Sequence, residues 1–169
     1  IYGVTKVAAE DLCQLCHRDH RLPVVVLRTS RFFPEDDDHP PTRDAYDEAN
    51  AKVNEFLYRR VEIEDVVDAH LAAIERAGEI GFARYIVSAT SPFQREHLAE
   101  LRRDAPAVVR RLVPEAEAVY AARGWRMFPS IDRVYVNERA RRGLHWQPRH
   151  DFAAVVARLA AGGDVRSAL

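Results

Sequence analysis

Tyr2 and Lys6 are the residues whose types and spacing best fit acid–base chemistry. A spacing of four places both side chains on one face of a helix, one turn apart. An unperturbed tyrosine titrates near pH ~10, so acid–base work at neutral pH needs a pKa lowered by a few units. A neighbouring ammonium favours the phenolate, and a shift of about three units corresponds to about 4 kcal/mol. Such a tyrosine can exchange a proton with a substrate hydroxyl.

The stretch Tyr2–Glu10 resembles the Tyr-x-x-x-Lys helix of the short-chain dehydrogenase/reductase superfamily. Within that superfamily, the stretch is most similar to the extended branch, the NAD-dependent epimerases and dehydratases of nucleotide sugars. The resemblance implies that Tyr2 is the general acid/base and that Lys6 lowers its pKa and holds the nicotinamide ribose. Lysine is rare here, since Lys6 and Lys52 are the only lysines among 25 lysines and arginines. The alternative is an amphipathic helix that carries this pair by chance.

A second resemblance lies in Leu27–Glu35, which is similar to the Leu-Arg-x-x-x-x-Tyr-Gly-Pro segment of the extended branch. It implies that Phe33 and Pro34 contact the nicotinamide end of the cofactor. Arg31 stands where many epimerases have an asparagine that contacts the substrate, so it is a candidate substrate-binding residue. The glycine of the pattern is absent, which leaves the substrate open, and a solvated Arg31 is the alternative.

A third segment, residues 58–70, resembles the Arg-x-Tyr-Ile/Val-His-Val-x-Asp motif. The family's arginine, which grips the substrate diphosphate, would fall on Tyr58. Arg59 or Arg60 could supply the same charge, but alternation along a strand would point these two in opposite directions. We therefore expect one of them to face the substrate pocket, with exposure of both as the alternative.

The closing segment Ile131–Pro148 resembles the pattern that ends in Leu-Gly-Trp-x-Pro. A short strand is expected before Asn137, which is a good N-cap for the helix that follows. Arg126 lies just before this segment, where related enzymes place a second diphosphate-gripping arginine. It is the fourth candidate for binding the substrate.

The elements that position these residues follow from hydrophobic periodicity. Helix 2–18 is predicted to face inward through Val4, Ala8, Leu12 and Leu15, and Val24–Leu27 suits a buried parallel strand. We expect helix 41–57 to bury Ala49, Val53, Phe56 and Leu57, and the helix that opens near residue 64 to bury Val66, Ala69, Ala73 and Ile74. A short strand is predicted to carry Val61 and Ile63, and another to span Phe82–Ser88. Helical segments are predicted at 94–103, 107–112, 115–123 and 152–159.

This order predicts an α/β fold. With the resemblance, residues 1–88 are expected to form the C-terminal portion of a Rossmann-like doubly wound parallel sheet. Residues 89–169 are expected to form a small, mostly helical substrate-binding lobe. The N-terminal dinucleotide-binding half, with its G-x-x-G-x-x-G turn, is absent from the sequence. The fragment alone should therefore bind NAD or NADP weakly or not at all, and should be inactive.

Metal and haem sites are not expected. Cys13, Cys16 and His17 match a c-type haem attachment pattern, but one helical segment that also contains His20 gives poor geometry for a closed metal site. Small packing residues are the simpler interpretation of the cysteines. The acidic, proline-closed stretch Glu35–Pro41 is interpreted as a solvated loop rather than a cation site.

The composition of the chain limits the kinds of partner that we expect it to bind. A net charge of −1 gives no electrostatic case for nucleic acid or an anionic membrane, and no apolar run approaches the ~20 residues of a membrane span. We expect a cytoplasmic protein whose partner is a nucleotide-sugar-like small molecule, with a homodimer through the Tyr2 helix.

The parent protein is therefore expected to be an NAD(P)-dependent epimerase, dehydratase or reductase that acts by hydride transfer. The alternative is a non-catalytic, Rossmann-derived NAD(P)-binding or regulatory protein.

Overall fold

The computed structural model describes residues 1–32 and 40–166. A short 3-10 turn at Arg95–His97 precedes α5. The helices and strands are α1 Tyr2–His20, β1 Val24–Thr29, α2 Pro40–Ala45, α3 Glu48–Phe56, α4 Ile63–Ile80, β2 Phe82–Val87, α5 Leu98–Leu112, α6 Glu115–Arg123, α7 Glu138–Leu144 and α8 Phe152–Ala160.

The two strands form a parallel pair, in register from Val24 opposite Phe82 to Thr29 opposite Val87. Parallel strands need a crossover, and α4 returns the chain and packs on both strands. The predicted strands at 24–27 and 82–88 are thus confirmed, although β1 is half-buried rather than fully buried. The carboxyl ends of both strands lie at one edge, which an isolated bridge between Arg31 and Arg60 extends.

In the described parts of the chain, residues 1–32 and 40–166, the buried side chains form two cores. The sheet core joins β2, α4 and α7, and the helical core joins α3, α5, α6 and α8. The sheet core contains Val61, Val66, Ala69, Ala73, Tyr85, Val87, Ala140, Leu144 and Trp146. The helical core includes Val53, Phe56, Leu57, Leu101, Val108, Tyr120, Phe152 and Val155. The domain boundary between residues 88 and 89 stays a prediction, and α3 and α7 each pack in the core of the opposite half of the chain.

The first helix meets the sheet through polar side chains. The Arg28 guanidinium on β1 donates to Glu10, with 2.6 Å between Nη2 and Oε2. Arg84 Nη2 on β2 donates to Asp11 Oδ1 at 3.1 Å. These contacts fix the rotation of α1, because they determine which of its sides faces the strands.

The predicted inward stripe of α1 was wrong. Val4, Leu12 and Leu15 are 75%, 63% and 48% exposed, and Ala8 is exposed as well. At 3.6 residues per turn these four residues lie on the far side of the helix from Glu10. The apolar stripe of α1 therefore points away from the sheet.

Three further predictions were wrong in detail. The helix predicted at 41–57 is two helices that meet at Tyr46 and Asp47, although Val53, Phe56 and Leu57 are buried as expected. The strand predicted to carry Val61 and Ile63 does not form, because α4 already begins at Ile63. No strand forms at 131–136 before α7.

The stripe predicted for α4 is largely confirmed. Val66, Ala69 and Ala73 are buried against the sheet, whereas Ile74 is 74% exposed. The predicted split between residues 103 and 107 appears as a kink inside α5, where Asp104 has non-helical backbone angles. Asp104 Oδ1 accepts the Ala107 N–H at 3.0 Å, which caps the second part of that helix.

Candidate functional site

Tyr2 and Lys6 lie side by side on the first turns of α1. The Lys6 Nζ atom is 5.3 Å from the centroid of the Tyr2 ring, so the two side chains share one face as the spacing predicted. Tyr2 is 75% exposed, which leaves its phenol open on the surface of the chain. The roles of both residues in catalysis and cofactor binding stay predictions.

Three of the four candidate substrate-binding arginines meet at one buried carboxylate. Glu55 Oε1 lies 2.8 Å from Arg59 Nη2 and 3.4 Å from Arg31 Nε. Glu55 Oε2 lies 2.9 Å from Arg60 Nη1. The Glu55 side chain is 2% exposed, so this group, which we call the arginine cluster, is anchored inside the protein.

The expectation that Arg59 and Arg60 point in opposite directions was wrong. Leu57–Arg59 form a turn after α3, so strand alternation does not apply, and both guanidinium groups reach Glu55. The two side chains still differ in exposure, at 30% for Arg59 and 8% for Arg60. Burial lowers the pKa of the Arg60 guanidinium, and the charge of Glu55 opposes that shift.

Arg31 joins the cluster from the end of β1. Its N–H donates to Arg59 O at 3.1 Å and its carbonyl accepts the Val61 N–H at 3.0 Å. These backbone bonds bring two segments that are 28 or more residues apart to the carboxyl edge of the sheet, where ligands bind in open α/β sheets. Phe33 and Pro34, the other predicted cofactor contacts, lie outside the described residues.

Arg126 lies at a neighbouring position rather than in the arginine cluster. Its guanidinium stacks 4.7 Å from the Tyr46 ring centroid and donates to Ala45 O. Asn54, adjacent to Glu55, donates to Arg126 O at 3.0 Å. The loop of Arg126 is thereby tied to the helix that carries Glu55.

A cleft of about 500 Å³ lies between the turn after β2 and the segment before α7. Phe93 and Val134 line it with apolar surface, and Arg95 and Arg141 bring positive charge. The Arg141 Nε atom is buried and has no hydrogen-bond partner among residues 1–32 and 40–166. Sequence reasoning missed this cleft, because its walls come from residues 90–98 and 134–141, which are far apart in the chain.

Asn137 is the N-cap residue of α7, as predicted, and it also lines that cleft. Its Nδ2 donates to Ser88 O at 2.7 Å and to Thr90 Oγ1 at 3.1 Å. The predicted N-cap hydrogen bond is not formed. The side chain is buried by these contacts, and it holds the turn after β2 against the start of α7.

The cysteines and histidines of α1 do not gather into a metal site. Cys13 and Cys16 are free and half-buried, and the His17 ring stacks on Phe82. His17 Nδ1 lies 2.8 Å from Leu22 O. In the part of the chain that the structure describes, no three His, Cys, Asp or Glu side chains group as metal ligands.

Comparisons with known proteins reveal a likeness in fold. No family model and no curated protein matches the sequence. Among solved structures, the chain is similar to the UDP-N-acetylglucosamine 4-epimerase from Bacillus cereus, with a TM-score of 0.53 and 14% identity. The match covers 95% of this chain and 49% of the epimerase chain, so this chain spans about half the length of that protein.

The likeness shows the fold alone, because the identity is low. The chain is a mixed α/β structure with a small parallel sheet, similar in fold to part of that epimerase. No helix of residues 1–32 and 40–166 is long and apolar enough to cross a bilayer.

Proposed function

We propose that this chain is the C-terminal part of an NAD(P)-dependent enzyme that acts on a nucleotide sugar, or a similar hydroxyl or keto substrate, by hydride transfer. The observation that carries the proposal is the Tyr2–Lys6 pair, whose ammonium lies 5.3 Å from the phenol ring on the helix that precedes β1. The likeness to an epimerase supports it at the level of the fold.

Tyr2 moves the proton in the proposed reaction. Its phenolate Oη takes the proton of a substrate hydroxyl while the carbon that bears this hydroxyl gives up hydride, and the resulting phenol returns the proton in the reverse step. Lys6, one turn along the same face of α1, would hold the ribose of the cofactor. The cofactor, when bound, supplies the hydride acceptor and donor. The sequence has no glycine-rich phosphate turn, so residues outside this chain must bind the pyrophosphate of NAD or NADP.

In this proposal, Arg31 and Arg59 contact the anionic part of the substrate, and Arg126 lies at a neighbouring position. Guanidinium groups match phosphate oxygens in geometry and charge. The cleft of about 500 Å³ has the volume of a site for a nucleotide-sized ligand. Tyr135, which lines this cleft, donates its backbone N–H to the carbonyl of Tyr58, the residue before Arg59, at 2.9 Å.

The apolar stripe of α1 is the proposed homodimer surface. Val4, Ala8, Leu12 and Leu15 form a continuous exposed strip on the side of α1 that faces away from the sheet. An identical helix related by a two-fold axis would offer the same strip in return. This surface and the Tyr2–Lys6 pair occupy different sides of the helix, so dimerisation leaves the pair accessible.

The test is the substitution Tyr2→Phe in the full-length protein, assayed with UDP-sugars and NAD(P). We expect turnover to be lost while NAD(P) binding is kept. Thr5→Ala is the control, because the Thr5 hydroxyl donates to the helix carbonyl of Tyr2 at 2.8 Å and is given no chemical role. Retained turnover in Tyr2→Phe would remove Tyr2 from the mechanism.

A non-catalytic NAD(P)-binding or regulatory protein is the second candidate. Two residues that depart from the family's pattern at substrate-binding positions favour this candidate. Tyr58 stands where the family has an arginine, and Arg31 stands where many epimerases have an asparagine. In that case the unsubstituted protein binds NAD(P) but converts no sugar nucleotide, and Tyr2→Phe changes neither property.

A further inference from the structure

Glu55 is a carboxylate in a place where a helix would ordinarily bury an apolar residue. It is the second-last residue of α3, and its neighbours Asn54 and Phe56 are 0% and 1% exposed. An unpaired carboxylate in such surroundings is costly, whereas hydrogen bonds to cations offset part of that cost. The protein therefore retains this charge together with the arginines that surround it.

The three arginines that contact Glu55 differ in burial and in the oxygen atom with which they pair. Arg60 is almost buried, with its guanidinium 6.0 Å from the Phe56 ring centroid and paired with Oε2. Arg31 and Arg59 share Oε1, and each keeps 30% of its side chain exposed. A guanidinium has donors on three nitrogens, so an arginine held by a carboxylate on one side can contact an anion on another.

We propose that Glu55 is a positioning residue, which holds Arg31 and Arg59 at a fixed separation so that together they bind the two phosphates of a diphosphate group. Arg60 is the inner cation that keeps the Glu55 carboxylate in place. The inference rests on the proposed function, since it assigns the substrate's diphosphate to the same arginines. A site on a buried helix end is well suited to this task, because packing fixes the side chain that orients the others.

Selectivity between anions is the property that this arrangement controls. Removing the Glu55 charge makes the cluster more positive by one unit, which strengthens attraction for every anion. It also removes the acceptor that fixes the separation of the guanidinium groups. A diphosphate carries more negative charge than a monophosphate, so the first effect alone would raise the preference for the diphosphate, and a fall in that preference reports the second effect.

The experiment compares inorganic pyrophosphate with inorganic phosphate by isothermal titration calorimetry on the protein and on Glu55→Gln. We expect the unsubstituted protein to prefer pyrophosphate and Glu55→Gln to lose about tenfold of that preference, the size of a coupling between neighbouring charged groups. Glu55→Asp keeps the charge but withdraws the carboxylate, and should lose the preference as well. Glu100→Gln is the matched control, because it breaks an exposed pair with Arg111, 2.6 Å apart, away from the cluster.

Each outcome decides between the two claims. If the unsubstituted protein binds pyrophosphate no better than phosphate, the proposed anion site is wrong and the role of Glu55 is wrong with it. If it prefers pyrophosphate and both Glu55 variants keep that preference, the positioning role alone is overturned and the anion site stands. If neither variant folds, as judged by circular dichroism, Glu55 is a structural residue and the inference is likewise overturned.

Discussion

The carboxylate of Asp65 accepts the backbone N–H of His150 at 3.0 Å, which ties the first turn of α4 to a residue 85 positions later. Oδ1 of Asp65 accepts the N–H of Arg149 at 2.8 Å, and the Asp65 carbonyl accepts the Trp146 indole N–H at 3.1 Å. Asp65 is 0% exposed. One buried side chain thus fastens the segment between α7 and α8 to the sheet core.

Asp65→Ala should lower the free energy of unfolding by about 3 kcal/mol, because two backbone N–H groups lose a charged acceptor. Urea denaturation followed by circular dichroism measures the loss. Asp68→Ala is the control on the same helix: Asp68 is 44% exposed and pairs with Arg149 at 2.9 Å, so its removal should cost about 0–1 kcal/mol. Equal losses in the two variants would mean that the Asp65 bonds contribute no more than a surface pair.

Much of the fold was predictable because it depends on local patterns. A run of valines with few polar neighbours indicates a strand, and the spacing of Val66, Ala69 and Ala73 indicates a buried helix face. The orientation of α1 was not predictable in this way. Periodicity identifies an apolar stripe, but it does not say whether that stripe faces this chain or another surface.

The sequence identified the arginines of the candidate site, but it did not identify the carboxylate that joins them. The arginines were identified from a resemblance, whereas Glu55 was missed because a glutamate on a helix is usually exposed. One signal was present: Glu55 and Arg59 are four apart, the spacing of an ion pair on a helix. The contact of Glu55 with Arg31 joins residues 24 apart, and local patterns do not reveal it.

Replacing glycine with alanine should have opposite effects on stability at Gly143 and at Gly78. An alanine Cβ at Gly143 would overlap the Oη atom of Tyr85, which is buried in the sheet core. Gly143→Ala should therefore destabilise the protein by about 1–3 kcal/mol. Gly78 lies in α4 with nothing within 4 Å of a new Cβ, so Gly78→Ala should stabilise by about 0.5–1 kcal/mol. Thermal melting of both variants checks the prediction, and a stable Gly143→Ala protein would show that Tyr85 can move aside.

Glu62 should make the protein less stable as the pH rises. Burial raises the pKa of its carboxyl above the ordinary value of 4.5, against the opposing charges of Arg158, His150 and Arg60. The folded protein then binds the proton more tightly than the unfolded chain, so stability falls as the pH rises from about 4.5 through the raised pKa. Glu62→Gln should match the unsubstituted protein near pH ~4 and exceed its melting temperature above that window.

The control for this pH series is Glu75→Gln, on the exposed part of α4, which should leave the pH profile unchanged. A Glu62→Gln protein that is less stable at neutral pH, by a margin that shrinks on acidification, would contradict the prediction. It would mean that the charges of Arg60, Arg158 and His150 outweigh burial and that the pKa of Glu62 is lowered.

The apolar stripe of α1 should control the oligomeric state. A glutamate at Leu12, which is 63% exposed, would place a charge in the middle of the proposed dimer surface and oppose a second like charge across the two-fold axis. We expect sedimentation equilibrium to show a dimer for the unsubstituted protein and a monomer for Leu12→Glu. Val67→Glu makes the same kind of change on α4, where Val67 is 50% exposed, and should leave the dimer intact. A monomeric unsubstituted protein, or a dimer that only Val67→Glu disrupts, would place the interface elsewhere.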